Sequence, residues 1–270
     1  MSHSQSSPAL AAVIKIGGSV LTGMDAYARC AESLRTRLRA APRAGLLVVV
    51  SAELGTTDRL EKLAQDLCPQ PDPGTLDLLW STGELQSAAL LTLCLHRLGV
   101  AAVALNVHQC GLIAPGEAPG HADLRLNPLR LRYFLSGHPV VIVPGFLARG
   151  PFDSVVSLGR GASDLTAVLL ASALNARRCE LVKDVPGYFT ADPRRDESAR
   201  PIAWLSYDEA LAMACAGCDL VQVAAIEAAQ RTNTVLLIRS LAAADTRTTV
   251  SSDDIQEPRA ADEFTALAVD

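Results

Sequence analysis

The segment GLLVVVSAELGTTDRL, residues 45–60, joins an apolar run, a polar turn and the start of an amphipathic pattern. The run at 45–50 predicts a strand that is buried on both faces. Residues 58–67 carry apolar side chains at helical spacing and predict an amphipathic helix. Such a strand, followed directly by a helix, is typical of a parallel sheet covered by helices. The segment therefore predicts an α/β fold.

The same alternation continues toward both ends of the chain. Further strands are predicted at residues 12–16, 100–105, 139–143, 179–183 and 234–239. Further helices are predicted at 25–41, 76–98 with a break near 81–83, 126–136, 163–174 and 207–215. Prolines and glycines between 115 and 123 predict a loop. Strands that alternate with helices favour parallel pairing through right-handed crossovers, so we predict a layered α/β sandwich.

Changes in composition along the chain divide it into four regions. A lobe boundary is placed after Gly145, where strands with Gly-rich and Ser-rich loops give way to the polar stretch 148–161. The regions are a disordered N-terminus (1–11), an N-terminal lobe (12–145), a C-terminal lobe (146–240) and a polar tail (241–270).

Composition disfavours several classes of protein. The 270 residues carry 24 Lys and Arg against 29 Asp and Glu, and the net charge of −5 disfavours a nucleic-acid-binding surface. No apolar run reaches the roughly 18 residues of a membrane span, and the N-terminus lacks the basic residues of a signal peptide. Seven cysteines at irregular spacing indicate free thiols in a reducing compartment. We expect a cytoplasmic protein without nucleic-acid or membrane partners.

A lysine and a glycine pair end the first predicted strand, in the run Lys15-Ile16-Gly17-Gly18-Ser19. The glycines allow backbone N–H groups to approach a ligand closely, and the lysine adds a compact positive charge. The run therefore predicts a site for an anion such as a phosphate. The alternative is a tight turn beside an incidental lysine. The run is not a Walker loop, because G-x-x-x-x-G-K-[ST] does not occur.

Polar residues also follow the strand at 45–50. Ser51 and Thr57 lie where the carboxyl end of a strand meets a helix, which is where α/β sheets bind ligands. Alternatively, Thr57 or its neighbour Asp58 caps that helix. Glu84 follows the predicted helix break and is expected in a first helical turn, where the macrodipole favours an acidic side chain. It is a candidate for binding a substrate cation only if other motifs converge.

Two turn-rich segments in the second half of the chain carry further candidates. In LGRGASD, residues 158–164, Arg160 suits bidentate recognition of a carboxylate or phosphate, and Asp164 can hold a cation, orient Lys15 or cap a helix. In KDVPGYFTADPR, residues 183–194, aromatic and basic side chains together fit a nucleotide base and its phosphates. The candidates in this second segment are Lys183, Asp184, Phe189 and Arg194. The alternative is a surface loop.

Metal binding is not predicted from the cysteines or histidines. Cys215 and Cys218 form a single C-x-x-C without the further ligands that a structural zinc site needs, and the five histidines are dispersed.

Seven segments of the chain recur in one known family in the same order. They are KIGGS (15–19), VVVSAELGTTDRL (48–60), TGELQSA (82–88), VVIVPGFLARG (140–150), SLGRGASDLTAVLLASAL (157–174), KDVPGYFTADPR (183–194) and LSYDEALAMACAG (205–217). Together they resemble the amino-acid kinase superfamily, and most closely the aspartate kinase catalytic domain. The resemblance covers about residues 12–240.

The resemblance implies a three-layer αβα sandwich with a mostly parallel central sheet and two lobes. The N-terminal lobe would bind the acceptor, and the C-terminal lobe the nucleotide. The implied reaction transfers the γ-phosphoryl group of ATP, with Mg²⁺, to the side-chain carboxylate of aspartate and gives an acyl phosphate. No metal ligand is assigned.

The resemblance also implies a role for each candidate residue. Lys15 would stabilise the moving phosphoryl group. Asp164 and Glu84 would hold the amino group or the local cationic network, and Arg160 the α-carboxylate. The remaining roles are phosphate-facing amides (Gly17, Gly18, Ser19), acceptor contacts (Ser51, Thr57) and nucleotide contacts (Lys183, Asp184, Phe189, Arg194).

The chain departs from the family pattern in the nucleotide lobe. The family usually has Lys and then His-Pro where this chain has Asp219 and Gln222-Val223, and it commonly has Tyr at Phe189. The chain ends about 30 residues after the last predicted strand, so we expect none of the regulatory domains that many aspartate kinases carry. Two other functions stay open: a kinase with another small-molecule acceptor, and a weakly active or inactive homologue that serves as a ligand-binding or regulatory subunit. The superfamily implies a homodimer.

Overall fold

An eight-stranded sheet organises the chain. The computed structural model describes residues 9–116, 123–176, 178–243 and 245–252, with side chains from residue 12 onward. The strands are β1 (Ala9–Ile16), β2 (Ala44–Val50), β3 (Ala102–Ala104), β4 (Leu112–Ile113), β5 (Arg125–Leu126), β6 (Val140–Pro144), β7 (Leu147–Arg149), β8 (Val155–Ser157), β9 (Arg178–Lys183), β10 (Trp204–Leu205), β11 (Val235–Ser240) and β12 (Arg247–Val250). The helices are α1 (Met24–Ala40), α2 (Thr56–Leu67), α3 (Pro73–Arg97), α4 (Val107–Cys110), α5 (Leu129–Gly137), α6 (Ser163–Ala173), α7 (Tyr207–Cys215) and α8 (Val223–Thr232).

The main sheet has the strand order β10-β12-β11-β9-β1-β2-β6-β3. From β11 to β3 all neighbours are parallel, whereas β12 is antiparallel to β11. The strands of the predicted N-terminal lobe lie on one side of the β1–β9 pairing, and those of the predicted C-terminal lobe lie on the other. The two predicted lobes therefore share the main sheet. A smaller sheet, β5-β4-β7-β8, takes β4 and β5 from before the predicted boundary after Gly145 and β7 and β8 from after it.

Alternate residues of the central strands face opposite helix layers. One layer contains α1 and α3, and the other contains α5, α6, α7 and α8. Ile14, Val48, Ile142 and Val182 face the first layer, and Val13, Leu47, Val141 and Leu181 face the second. Because both faces are covered, all of β2 is buried. The predicted three-layer αβα fold is confirmed.

The predicted break in the third helix is wrong. Helix α3 continues through Gly83, so Glu84 lies in the middle of the helix and not in a first turn. A side-chain carbon at Gly83 would lie 2.9 Å from Thr56 Cγ2, which shows that this glycine allows α2 and α3 to pack closely. The macrodipole therefore does not explain Glu84.

The capping alternatives for Thr57, Asp58 and Asp164 are also wrong. Helix α2 begins at Thr56, after Gly55 in a left-handed conformation with φ of 79°. Helix α6 begins at Ser163, with no side-chain cap, and Asp164 lies in its first turn.

Helix α8 and the strands β7, β8, β10 and β12 of the C-terminal half were not predicted. Helix α8 is a short alanine-rich helix whose N-terminus has no side-chain cap, so its sequence gives little start signal. Strand β12 pairs with β11 and replaces part of the predicted polar tail. At the other end of the chain, residues 9–11 belong to β1 and not to a disordered segment. The rest of the predicted N-terminus (1–8) and of the tail (253–270) lies outside the described residues. In the part of the chain that the structure describes, no helix is long and apolar enough to cross a membrane.

Candidate active site

Parallel strands bring several candidate residues to one edge of the sheet. β1, β2 and β9 run in the same direction, so their carboxyl ends meet there. Lys15 lies near the end of β1, Ser51 directly follows β2, and Lys183 ends β9. Segments that are far apart in sequence therefore converge at the edge where α/β sheets bind ligands.

Lys15 and Lys183 share one carboxylate, that of Asp164. Lys15 pairs with Leu181 across the strands, so Lys183 lies two residues further along on the same face of the sheet. Helix α6 covers this face and presents Asp164 from its first turn. Lys15 Nζ lies 2.8 Å from Asp164 Oδ1, and Lys183 Nζ lies 2.6 Å from Asp164 Oδ2.

This buried cluster has more positive than negative charge. Burial by itself raises the pKa of Asp164, but Lys15 and Lys183 outweigh it and lower the pKa to about 2. Burial lowers the pKa of Lys183, and Asp164 opposes that effect. With both lysines protonated, two cations face one carboxylate. The cluster therefore favours a ligand that brings further negative charge.

The glycine turn holds the end of β1 against its neighbours. The Gly17 N–H donates to Val182 O at 3.1 Å, so in this structure it is engaged within the sheet and does not face a ligand. A side-chain carbon at Gly18 would lie only 2.2 Å from Ala52 O, so glycine is required for this close approach. Ser19 Oγ donates to Asp184 Oδ1 at 3.1 Å. The turn thus connects β1 with the loops after β2 and β9.

Glu84 is buried beside this turn. It is 4% exposed, and it accepts a hydrogen bond from the backbone of Ala52. Its Oε2 atom is buried and has no hydrogen-bond partner among the residues described. Burial raises the pKa of Glu84 to about 8, against the lowering effects of Ala52 and Lys15.

Ser51 and Thr57 are both half-buried. The Ser51 N–H donates to Ile16 O at 3.2 Å, which joins the ends of β1 and β2. Thr57 lies in the first turn of α2.

Arg160 lies on the surface, beside α2 and α3. It is flanked by Gly159 and Gly161, both in left-handed conformations. Its guanidinium forms ion pairs with two carboxylates of α2: Asp58, at 2.8 Å, and Glu61. It also lies over the ring of Trp80, 5.9 Å from the centroid. In the structure, Arg160 therefore pairs with acidic groups of the protein and does not pair with the cluster of Lys15, Asp164 and Lys183.

The nucleotide-side candidates are only partly brought together. Asp184 joins Ser19 to Arg194, whose exposed guanidinium lies 3.6 Å from Asp184 Oδ2. Phe189 is half-buried and pairs through its backbone with Pro201.

Sequence reasoning missed residues that support the Arg160 loop. Gln222 Nε2 donates to the backbone carbonyl of Arg160, and Trp80 packs beneath the guanidinium. Trp80 lies four residues before Glu84, a spacing that places both on one face of a helix. That spacing is the signal that could have identified Trp80.

The donor set fits a nucleotide phosphate better than a protein-bound metal. Among the residues that the structure describes, no three His, Cys, Asp or Glu side chains are grouped to hold a metal ion. Both oxygens of Asp164 contact lysines, which leaves Asp184 as the carboxylate at the edge of the cluster. Mg²⁺ commonly binds through one or two carboxylates together with substrate phosphates, and this arrangement is compatible with that mode.

Residues 11–240 match the Amino acid kinase family. The chain belongs to this family. Among its curated relatives, the aspartokinase of Thermus thermophilus is 36% identical over 228 residues, which cover 84% of this chain and 56% of the relative. The aspartokinase of Mycobacterium tuberculosis is 38% identical over 232 residues, which cover 84% of this chain and 54% of the relative. The chain therefore spans about half the length of these curated relatives.

Solved structures of family members show the same fold. Aspartate kinase from Synechocystis matches with a TM-score of 0.80 and 33% identity, over 92% of this chain and 40% of that one. Aspartokinase III of E. coli in complex with aspartate and ADP matches with a TM-score of 0.77 and 26% identity, over 90% of this chain and 65% of that one. The recognised family and the predicted fold are both confirmed.

Proposed function

We propose that the chain is an ATP-dependent kinase that phosphorylates the side-chain carboxylate of aspartate. The observation that carries this proposal is the Lys15–Asp164–Lys183 cluster at the carboxyl edge of the sheet. The named activity of the aspartokinase relatives supports the choice of acceptor.

The lysine cluster supplies the charge that phosphoryl transfer needs. One oxygen of the acceptor carboxylate attacks the γ-phosphorus, and the bond from that phosphorus to the β–γ bridging oxygen breaks. An acyl phosphate forms and ADP leaves. Asp164 fixes both ammonium groups before the substrates arrive, so their charge is already in place where negative charge develops. Lys15 lies nearest the glycine turn and is assigned to the transferred group.

The reaction needs no strong general base. A free aspartate side chain has a pKa near 4 and is already ionised at neutral pH. No proton has to be removed from the nucleophile. Catalysis therefore rests on positioning and on stabilisation of charge.

The acceptor is assigned to the space between the β1 turn and α3. Glu84 would accept from the α-ammonium group, and Arg160 would bind the α-carboxylate. Ser51, which follows β2, and Thr57, in the first turn of α2, would supply hydroxyl groups. To bind the acceptor, Arg160 has to release at least part of its ion pairs with Asp58 and Glu61.

The nucleotide is assigned to the loops after β1 and β9. Gly18, Ser19 and Lys183 would contact the phosphates, and the exposed pair of Asp184 and Arg194 would lie beside them. Phe189 would contribute apolar surface. Mg²⁺, when bound with the nucleotide, neutralises phosphate charge, and Asp184 is the carboxylate available to it. A homodimer in the cytoplasm remains a prediction.

Trapping of the product tests the proposed function. The purified chain is incubated with Mg-ATP, hydroxylamine and either aspartate or glutamate. An acyl phosphate converts to a hydroxamate, while ADP release measures turnover. We expect aspartyl hydroxamate and ADP in equal amounts, and much less product from glutamate, which is one methylene longer. ADP release without hydroxamate, or a clear preference for another acid, would contradict the proposal.

A further inference from the structure

Trp80 lies between the Arg160 guanidinium and the core of the protein. Its ring centroid is 5.9 Å from that of Phe146, and the guanidinium of Arg160 lies 5.9 Å from the ring centroid on the outer side. Phe146 adopts a positive φ of 66°, and its N–H donates to Thr166 Oγ1 at 3.0 Å. The hydrogen bond holds Phe146 in this uncommon conformation, which fixes the ring against Trp80.

Trp80 carries a buried hydrogen-bond donor that is unpaired within the described part of the chain. Its Nε1 atom is buried and makes no hydrogen bond to any described residue. An indole N–H is only a donor, and leaving a buried polar group unpaired is costly. Buried polar groups are nearly always paired, so an orphaned one calls for a specific explanation.

A second orphaned atom lies one helical turn away. Glu84 follows Trp80 by four residues on the continuous helix α3, so both side chains lie on one face. The Oε2 atom of Glu84 is also buried without a partner in the described part of the chain. The same helix face thus presents one unsatisfied donor and one unsatisfied acceptor. A zwitterion, with a carboxylate beside an ammonium group, satisfies both.

The loop that carries Arg160 is fixed against the same helix. Asp77, one turn before Trp80 on α3, accepts a hydrogen bond from the Ser157 N–H at 2.9 Å. Ser157 ends β8 and directly precedes the Arg160 loop. This bond holds the loop beside Trp80, with Arg160 over the indole ring, so an anion bound by both groups has to displace Arg160 at least partly from Asp58 and Glu61.

We propose that Trp80 is a specificity-determining residue whose indole N–H donates a hydrogen bond to the α-carboxylate of the acceptor, beside Arg160. This inference rests on the proposed function. Helix α3 then recognises both charged groups at the α-carbon, because Trp80 binds the carboxylate and Glu84 binds the ammonium group. The two groups lie on one rigid helix, so their separation selects an α-amino acid.

Kinetics of Trp80→Phe test the hydrogen bond. The substitution keeps an aromatic ring for Phe146 and Arg160 but removes the N–H. We expect the KM for aspartate to rise on the order of tenfold, the factor lost with a hydrogen bond to a charged group. The KM for ATP should stay unchanged and the melting temperature should not fall, because the N–H makes no hydrogen bond to a described residue. A residue that served only in packing would lower the melting temperature without a selective change in the aspartate KM.

A spectroscopic measurement reports on the contact directly. The chain has two tryptophans, and Trp204 lies on β10, where its Nε1 donates to Ser251 Oγ at 2.9 Å. Trp204→Phe therefore leaves Trp80 as the single indole and serves as the matched control for Trp80→Phe. With ¹⁵N-labelled indole, we expect the Trp80 N–H resonance to move downfield when aspartate is added. β-Alanine, which lacks the α-carboxylate, should not cause this shift.

The outcomes separate this inference from the proposed function. Calorimetry on Trp204→Phe first establishes aspartate binding. If aspartate binds and is phosphorylated while the Trp80 resonance stays in place, the inference is overturned and the proposed function stands. If aspartate neither binds nor reacts, both are overturned. An equal shift with β-alanine would also remove the α-carboxylate as the partner of Trp80.

Discussion

Lys183 Nζ lies 2.6 Å from Asp164 Oδ2, the oxygen opposite the one that contacts Lys15. One carboxylate therefore sets the separation of two ammonium groups that come from different strands. Because Asp164 is 2% exposed, solvent screens these ion pairs little. The two ion pairs are formed in the absence of substrate, as electrostatic preorganisation requires.

Lys15→Ala tests the role of this charge in transfer. We expect the rate to fall on the order of 10²–10³-fold, the usual cost of losing a preorganised group on a reacting centre. The fold should remain, because Lys183 still pairs with Asp164. Turnover by the hydroxamate assay and circular dichroism of the folded state measure the two effects. Lys62→Ala, on the exposed side of α2, is the matched control, and near-normal turnover of Lys15→Ala would show that the mechanism is wrong.

The strand positions of both lysines could be predicted from the sequence, and their partner was suggested by it. Residues 12–16 and 179–183 are recognisable strands, and each lysine lies at or near the carboxyl end. Period-two alternation then sets the face on which each lysine lies. Asp164 was a candidate to orient Lys15, but its contact with Lys183 depends on the parallel register of β1 and β9, which a single sequence does not reveal.

Other features depend on tertiary packing and escaped prediction for that reason. Gly83 is typical of a helix break in the local sequence, yet it is helical, and glycine is needed there because α2 packs too closely for a side chain. The local sequence predicts that Arg160 is a free ligand-binding group, yet it pairs with Asp58 and Glu61 from a helix about 100 residues earlier. Trp80 carries no local motif, and its significance appears only once α3 is known to be continuous.

Glu84 should make acceptor binding depend on pH. Its pKa is raised to about 8, so in the free protein the carboxyl group is neutral below that pH. An ammonium group binds the ionised form, so we expect kcat/KM for aspartate to rise with pH up to about 8. The groups that face Glu84 are Lys15, which favours ionisation, and the backbone of Ala52. Profiles of kcat/KM between pH 6 and 9 measure the effect.

Glu84→Gln supplies the control for that profile. It should lower kcat/KM and remove the rise toward pH 8. Stability provides an independent check, because a folded-state pKa above the unfolded value means that stability is lost as the pH rises from about 4.5 to 8. The variant should lack that loss. A pH profile unchanged by the substitution would assign the titration to another group.

Glu180 should govern stability in acid. It is fully buried on the opposite face of β9, and it contacts Arg37 at 2.7 Å and Arg239 at 3.1 Å. Burial by itself raises its pKa, but the arginines outweigh this and lower the pKa from 4.5 to about 2. A carboxylate whose pKa is lowered by folding stabilises the protein at pH values above its pKa in the unfolded state. This stabilisation is lost as the pH falls toward the pKa in the folded state.

We therefore expect the free energy of unfolding to decrease by about 3 kcal/mol between pH 4.5 and 2 through this residue. Urea titrations across that range measure it. Glu180→Gln should be less stable at pH 7, because it leaves the arginines without a counter-charge, and its stability should vary less with pH. Glu32→Gln, which removes an exposed surface ion pair with Arg35, is the control. Equal acid sensitivity of Glu180→Gln and the wild type would contradict this assignment.

Asp219 tests how the nucleotide lobe tolerates an acidic residue where the family usually has lysine. It lies exposed in the turn between α7 and α8, three residues before Gln222, which binds the Arg160 loop. Two like charges about 6 Å apart at an effective dielectric near 20 repel by roughly 3 kcal/mol. Solvent and Mg²⁺ should reduce this to about 1 kcal/mol, or about fivefold in affinity.

We therefore expect Asp219→Lys to tighten binding of Mg-ATP several-fold in a calorimetric titration and to leave the aspartate KM unchanged. Glu227→Lys, at an exposed position on α8, makes the same change in net charge and should have a smaller effect. Equal gains in the two variants would indicate long-range attraction alone, and an unchanged affinity of Asp219→Lys would place this turn away from the phosphates.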